Sequence, residues 1–347
     1  MSGKSVTAKY TKFGGRYFFS YVRALRGLRG AIGFFILTSV FSTLSMSGRA
    51  LGQTKIRAAF GTPSLSQVVF PLGVQSGMFS RHGLSVEPIY VAGRSINLLI
   101  SGDVQFGFSG GPQTVLARLS GADLMTIAGL NRPGQMVAAH PSIKSPQDLI
   151  GKKVGIGIFG TTADYGMRLA LRKFNLRANR DVTFVSVGDV PGRIAAVTSG
   201  TVQAVILSSY DKHFLEQHNL RMLTDTDDID FMASGIMVTE SYARANRETV
   251  MRLLRGVVDT IRLIKTEPKR TTELLGKIYR ETDQAFLARR YQTLLGIYPD
   301  YPIVSPGAIQ SIIDLLKEDG RIKDSPPAQS YLDMNYLRAV EKERVGK

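Results

Sequence analysis

From Thr54 onward the apolar positions keep changing their period. They alternate over KIRAAF (55–60), which predicts a strand, and regroup at helical spacing from Ser64 to Ser80, ending at His82-Gly83. LSVEPIYV (84–91) predicts a second strand, and ADLMTIAGL (122–130) another. Further on, Ser145 precedes Pro146 and Asp148, the signature of a short capped helix. A strand follows with Val154, Ile156 and Ile158 on one face. The helix after GTTAD (160–164) carries Met167, Ala170, Leu171 and Phe174 on one stripe, so it packs on that strand's sheet, and DVTFVSV (181–187) is the next strand. Beyond Ser241 the pattern is helical. Val250, Leu254, Val257, Ile261 and Ile264 mark a long helix stopped near Pro268, and Ser305-Pro306 starts another over AIQSIIDLLKEDG. Strand–helix–strand order predicts parallel strands with covering helices, here in two strand-rich lobes followed by a helical return.

One phrase is written twice. SGDVQFGFSGG runs from Ser101 to Gly111 and SGTVQAVILSS from Ser199 to Ser209, and Gly93-Arg94 and Gly192-Arg193 precede the respective copies. Each copy reads as a helix, a turn and a strand. Solenoid units recur every ~20–50 residues, so this wider spacing predicts duplicated lobes.

Composition narrows the picture. The 347 residues are 44% hydrophobic, enough for two domains or one large one. Half of the net charge of +16 lies in the first fifty residues, which hold eight Lys and Arg and no acid. Downstream the charges are interspersed, with no nucleic-acid module, so no nucleic-acid partner is expected. The basic stretch, the apolar run AIGFFILTSVFSTLSM (31–46) and GRALGQ have the three parts of a secretory signal. Residues 1–52 are therefore expected to be a signal peptide cleaved after Ala50 or Gly52, or else an uncleaved anchor that would tether the protein to the membrane. The chain has no cysteine, which removes disulfides, thiolate metal ligands and a cysteine nucleophile.

GMFSRHGLSVE, LLISGDVQFGFSG, GADLMTIAGL, IKSPQDLIGKKVGIG, DVTFVSVGD and AAVTSGTVQAVIL, in that order behind an export signal, are similar to phrases of a known family. The chain resembles the periplasmic substrate-binding proteins of ABC transporters that serve nitrate, sulfonates, taurine and thiamine-precursor pyrimidines. The resemblance covers Thr54 to about Ile322. It implies an α/β, two-lobed periplasmic-binding-protein type 2 fold, with two mixed sheets flanked by helices and a ligand cleft between the lobes. The lobes are expected at 53–133 plus 234–347, with the helical return, and at 134–233.

Open α/β sheets bind ligands beyond the carboxyl ends of their strands, and both repeated phrases end there. Ser109, Gly110 and Gly111 are thus expected on one wall of the cleft and Ser208, Ser209 and Tyr210 on the other. In GTTAD, Thr161 and Thr162 stand where a strand passes into a helix, so unpaired N–H groups and two hydroxyls can hold an anion, or the residues can simply cap the helix. The matching turn GTPSLSQ (61–67) offers Thr62 and Ser64, and Tyr165 lies where its ring can cover a ligand.

Other motifs carry less. GIGIFG (155–160) matches GxGxxG, but its glycines alternate with Val154, Ile156 and Ile158 inside a strand, which argues against a dinucleotide site. His82, His140, His213 and His218 lack metal-site spacing, and TDTDDID (224–230) lacks the calcium-loop glycine, so neither cofactor nor metal is expected. No nucleophile elbow or Ser-His-acid pattern appears. The expectation is a periplasmic, monomeric, non-enzymatic receptor that captures a small polar, anionic organic molecule such as a sulfonate or carboxylate and delivers it to an ABC transporter permease. The alternatives are an enzyme on the same fold, of the menaquinone-pathway or pyrimidine-synthesis kind, and a sensory input module.

Overall fold

The structure is a computed structural model that describes residues 52–61, 64–91, 94–130 and 134–345. The signal-segment expectation lies outside the described residues. The chain from Gln53 onward forms one compact unit.

The first half alternates as its pattern predicts: β1 (Thr54–Phe60), α1 (Val69–Ser76), α2 (Met78–Arg81), β2 (Leu84–Tyr90), α3 (Ser95–Ile100), β3 (Phe106–Ser109), α4 (Gly111–Leu119) and β4 (Met125–Gly129). The helix expected from Ser64 to Ser80 begins only at Val69 and breaks at Gly77, whose left-handed conformation (φ 76°) closes α1. The second set is β5 (Gln135–Ala139), a 3-10 turn at Pro146–Leu149, β6 (Lys153–Ile156), α5 (Thr162–Arg172), β7 (Thr183–Ser186), α6 (Val190–Thr198), β8 (Ala204–Ser208), α7 (His213–Gln217) and β9 (Arg221–Asp225). Ile158 does not share a strand face with Val154 and Ile156, because β6 stops at Ile156 and Ile158 is 66% exposed in the following turn. The chain then adds β10 (Gly235–Val238) and the helices α8 (Glu240–Ala245), α9 (Arg247–Thr266), α10 (Pro268–Tyr279), α11 (Gln284–Ile297), α12 (Pro306–Glu318) and α13 (Asn335–Val345). Ser305 caps α12 by accepting from the Ala308 N–H.

There are two five-stranded sheets, ordered β2-β1-β3-β10-β4 and β7-β6-β8-β5-β9. Both are mixed: β10 runs antiparallel to β3 and β4, and β5 antiparallel to β8 and β9. The two orders correspond strand for strand, with the duplicated phrases supplying the central strands β3 and β8.

The duplication extends to single hydrogen bonds. Gln105 Oε1 accepts from the Arg57 N–H on β1 (2.8 Å), and Gln203 Oε1 accepts from the Lys153 N–H on β6 (3.4 Å). Ser101 and Ser199 hydroxyls bond back to the carbonyls of Leu98 and Ala196. Gly102 (φ 79°) and Gly200 (φ 74°) turn the helix into the strand in a conformation that favours glycine. Val104 and Val202 are buried beneath these turns.

Each sheet packs on both faces. One face of the first sheet meets α1, α2 and α9 through Phe60, Phe70, Phe79, Phe108 and Leu254, with Phe70 and Phe108 ring centroids 4.5 Å apart. Its other face meets α4 and α12 through Val115, Ile312, Leu316 and Tyr331. Into that second cluster α5 inserts Tyr165 and Leu169, while its opposite side, Met167, Ala170 and Leu171, packs with β6 in the second sheet's core. The stripe expected on α5 is thus one of two that it buries.

Candidate functional site

The carboxyl ends of the central strands and the starts of α4 and α5 enclose a cavity of about 440 Å³. Ser64, Ser109 and Gly110 line it from the first-sheet side; Thr161, Thr162 and Ser208 line it from the second. Gly110 is where the sides touch: a Cβ there would lie 2.3 Å from Thr162 Oγ1 and 2.4 Å from Gln113 Oε1, so only glycine permits this approach.

Neither helix start has a side-chain cap. Gly110 precedes α4, the Gly111 N–H goes to the Met232 carbonyl (3.1 Å) and Pro112 has none, which leaves the Gln113 N–H open. At α5 the threonine hydroxyls turn away from the helix: Thr161 donates to the Ile158 carbonyl (2.6 Å) and Thr162 to the Ala233 carbonyl (2.8 Å). The backbone N–H groups of Thr162 and Ala163 are therefore uncapped where these residues line the cavity. Two positive helix ends, one from each sheet's side, meet in one place, an arrangement that favours a negative group.

Four expected residues lie elsewhere. Gly111 is buried under Met232 and Ile312. Tyr165 is completely buried, its hydroxyl accepting from Arg321 (2.9 Å); that burial pushes its pKa up to about 12. Tyr165, the fourth residue of α5, shares a helix face with Leu169 one turn later, and that face is core. Ser209 donates to Asp227 Oδ1 (2.9 Å), and Tyr210, half-buried, packs against the first sheet's aromatic cluster. Thr62 lies outside the described residues.

The cavity also holds side chains that the sequence reading did not single out: Gln67, Ser95, Gln113, Gln135, Arg193, Asp211 and Ser234. Two of these had a signal in the repeat. Ser95 and Arg193 occupy the same place in the two copies and bond to the same place: Ser95 Oγ donates to the Phe108 carbonyl (2.7 Å), and the Arg193 guanidinium to the Ile206 carbonyl. Asp211 stands two residues after the second phrase. Burial lowers the Arg193 pKa, opposed by Asp211 and Asp189. Burial pushes the Asp211 carboxyl up, against the pull of Arg290, His213, Arg193 and the Ser208 N–H. Ser234 Oγ, in a residue 5% exposed, has no hydrogen-bond partner among the described residues, and neither has Gln113 Oε1. No group of three His, Cys, Asp or Glu that could hold a metal ion occurs among the described residues. The acids after β9 are engaged in ordinary contacts, Asp228 with Lys173 (2.8 Å) and Asp227 with Ser209.

The fold is that of solved periplasmic binding proteins. The aliphatic sulphonate-binding protein SsuA of Escherichia coli superimposes with a TM-score of 0.68 at 20% identity, over 82% of this chain and 99% of that one. SsuA of Xanthomonas axonopodis pv. citri, bound to MOPS, gives 0.65 at 18% identity, over 80% and 98%. The nitrate-binding protein NrtA of Synechocystis PCC 6803 gives 0.66 at 13% identity, over 84% and 89%. No curated protein matches the sequence. The NMT1/THI5 like family matches residues 69–271, a stretch that contains both copies of the duplicated phrase, both uncapped helix starts and the antiparallel strands β5 and β10, and the chain belongs to that family.

Proposed function

We propose that the protein is an extracytoplasmic, non-enzymatic solute receptor that closes on a small polar, anionic organic molecule and delivers it to an ABC transporter permease. The observation that carries this reading is the meeting of two uncapped helix starts, from opposite sides, on one cavity where Gly110 touches Thr162. The similar proteins of known structure bind sulfonate and nitrate, which fits. In this reading 53–133 with 234–347 form one lobe and 134–233 the other, residues 1–52 direct export or tether the chain, and the protein works as a periplasmic monomer.

Magnitudes favour an organic ligand over a bare anion. A helix end contributes ~0.3–1 kcal/mol and a net hydrogen bond ~0.5–1.5. Micromolar binding requires ~8 kcal/mol, so exclusion of water and packing of a carbon body supply the rest. The cavity's charged side chains among the described residues, Arg193 and Asp211, suit recognition and do not pair a nucleophile with a base.

Native mass spectrometry of the protein from its own periplasm, followed by titration of the released compound into a chain beginning at Gln53, tests the proposal. A stoichiometric small acid that rebinds and is recovered unchanged is expected. Its conversion to a new compound would move the protein to the enzyme class.

A further inference from the structure

The proposed anion site contains one group that opposes an anion. Every other polar contribution described above at the cavity is a donor or can donate: the N–H groups at the starts of α4 and α5, the Arg193 guanidinium, and the hydroxyls of Ser109, Ser208 and Ser234. Asp211 is the exception. It follows β8 directly, in the 3-10 turn Ser209–Asp211, and no direct ion pair joins it to Arg193 among the described residues. The titratable groups that face it are Arg290 from α11, His213 from α7, whose pKa burial pushes below the ordinary histidine value, and Arg193 from α6, and burial still outweighs them. A carboxylate that lines the cavity beside two helix starts repels a simple anion there, although it already accepts from the Ser208 N–H. Gln113 Oε1, beside Gly110 and Thr162, and Gln135 Oε1 are further acceptors without a partner among the described residues, and Ser234 Oγ can act in either sense.

We infer that the ligand carries, besides its acidic group, an N–H-bearing group such as an ammonium or amide, and that Asp211 is the residue that selects for it. The acidic group takes the helix starts and Arg193; the nitrogen takes Asp211. A compound with only the acidic half sets a like charge against Asp211 and offers it no donor, so discrimination comes from a penalty on the wrong ligand as well as a contact with the right one. Bare nitrate and plain alkanesulfonates are disfavoured for that reason. This rests on the receptor reading above and narrows it.

The test uses calorimetric titration at neutral pH of the chain beginning at Gln53, with pairs that differ only in an amine or hydroxyl: glycine against glycolate, and homotaurine against its hydroxyl analogue, with propanesulfonate and nitrate as plain anions. The amine member of a pair is expected to bind about tenfold or more tighter, the worth of a charge-assisted hydrogen bond. Asp211→Asn should collapse that preference and strengthen propanesulfonate, while Arg193→Gln weakens all the compounds alike. Equal or tighter binding of the hydroxyl or plain compounds to the parent, or an unchanged preference in Asp211→Asn, overturns the inference and leaves the receptor reading standing. If the folded protein binds none of these anions, the anion reading itself fails.

Discussion

Adjacent glycines separate contact between the two sides from folding. At Gly110 an added Cβ meets the ends of two side chains, Thr162 Oγ1 and Gln113 Oε1, and Thr162 comes from the opposite side of the cavity. At Gly111 it meets the Met232 backbone carbonyl at 2.4 Å and Ile312 at 2.7 Å, inside the core. Gly110→Ala should therefore hold the cavity apart, lowering affinity by about tenfold with little loss of stability, whereas Gly111→Val should cost about 1–3 kcal/mol of stability or more. Paired titration and thermal unfolding of both variants distinguish the two effects; equal stability losses would refute the assignment. Asp211 gives a pH signature. Its carboxyl is raised from the ordinary 3.8, so its contribution to stability is fully present below that value and is lost as pH rises through the folded-state pKa. Asp211→Asn should consequently raise the melting temperature at neutral pH, with the gain vanishing below the ordinary aspartate pKa. A neutral or lower melting temperature at pH 7 would contradict it. Residue-level chemistry was only partly legible in sequence: Ser109, Gly110 and Thr162 could be placed from the strand ends, but Tyr165 could not. Whether a residue near a helix start faces a cavity or a core depends on what the helix packs against.

Among the elements, α5 bears most of the connection between the two sides. Its Asp164, 1% exposed, accepts from the Gly160 N–H (2.8 Å) and from Arg168 Nε (2.8 Å), and Arg168 also reaches Asp319 at the end of α12 (2.6 Å). Arg172 pairs with Glu318 on the same helix (3.0 Å). Removing Arg168 leaves a buried carboxylate with one N–H partner, so Arg168→Ala should destabilise the protein by about 3–5 kcal/mol. Arg172→Ala, an exposed pair, should cost under about 1 kcal/mol. Denaturant unfolding of both checks the contrast, and similar losses would mean that the α5–α12 contact is carried by its apolar residues. The existence and type of most elements were readable because periodicity is local, whereas β5, β9 and β10 were not singled out. The break at Gly77 and the end of β6 at Ile156 were not, since apolar residues continue past both points.

At the scale of the whole molecule, the shared helix predicts cooperativity. Because α5 buries Tyr165 and Leu169 in the first-sheet side and Met167, Ala170 and Leu171 in the second, neither sheet keeps its core intact without the other. A chain beginning at Gln53 should be soluble and unfold in a single transition, with backbone circular dichroism and a fluorophore on either sheet giving coincident curves. Two separated transitions would mean that the halves are energetically independent.

The amino-acid sequence by itself determined many of the strands and helices, though not β5, β9 or β10, that one unit is duplicated, and where the duplicated strands end, because period, capping and turn residues act over a few neighbours. Only the tertiary structure decided that the two copies occupy the centres of two matching sheets, that Tyr165 belongs to the core, and that Arg193 and Asp211 share a cavity with two helix starts. Those outcomes depend on contacts between residues far apart in the chain, and local spacing carries no information about which distant surface a side chain will meet.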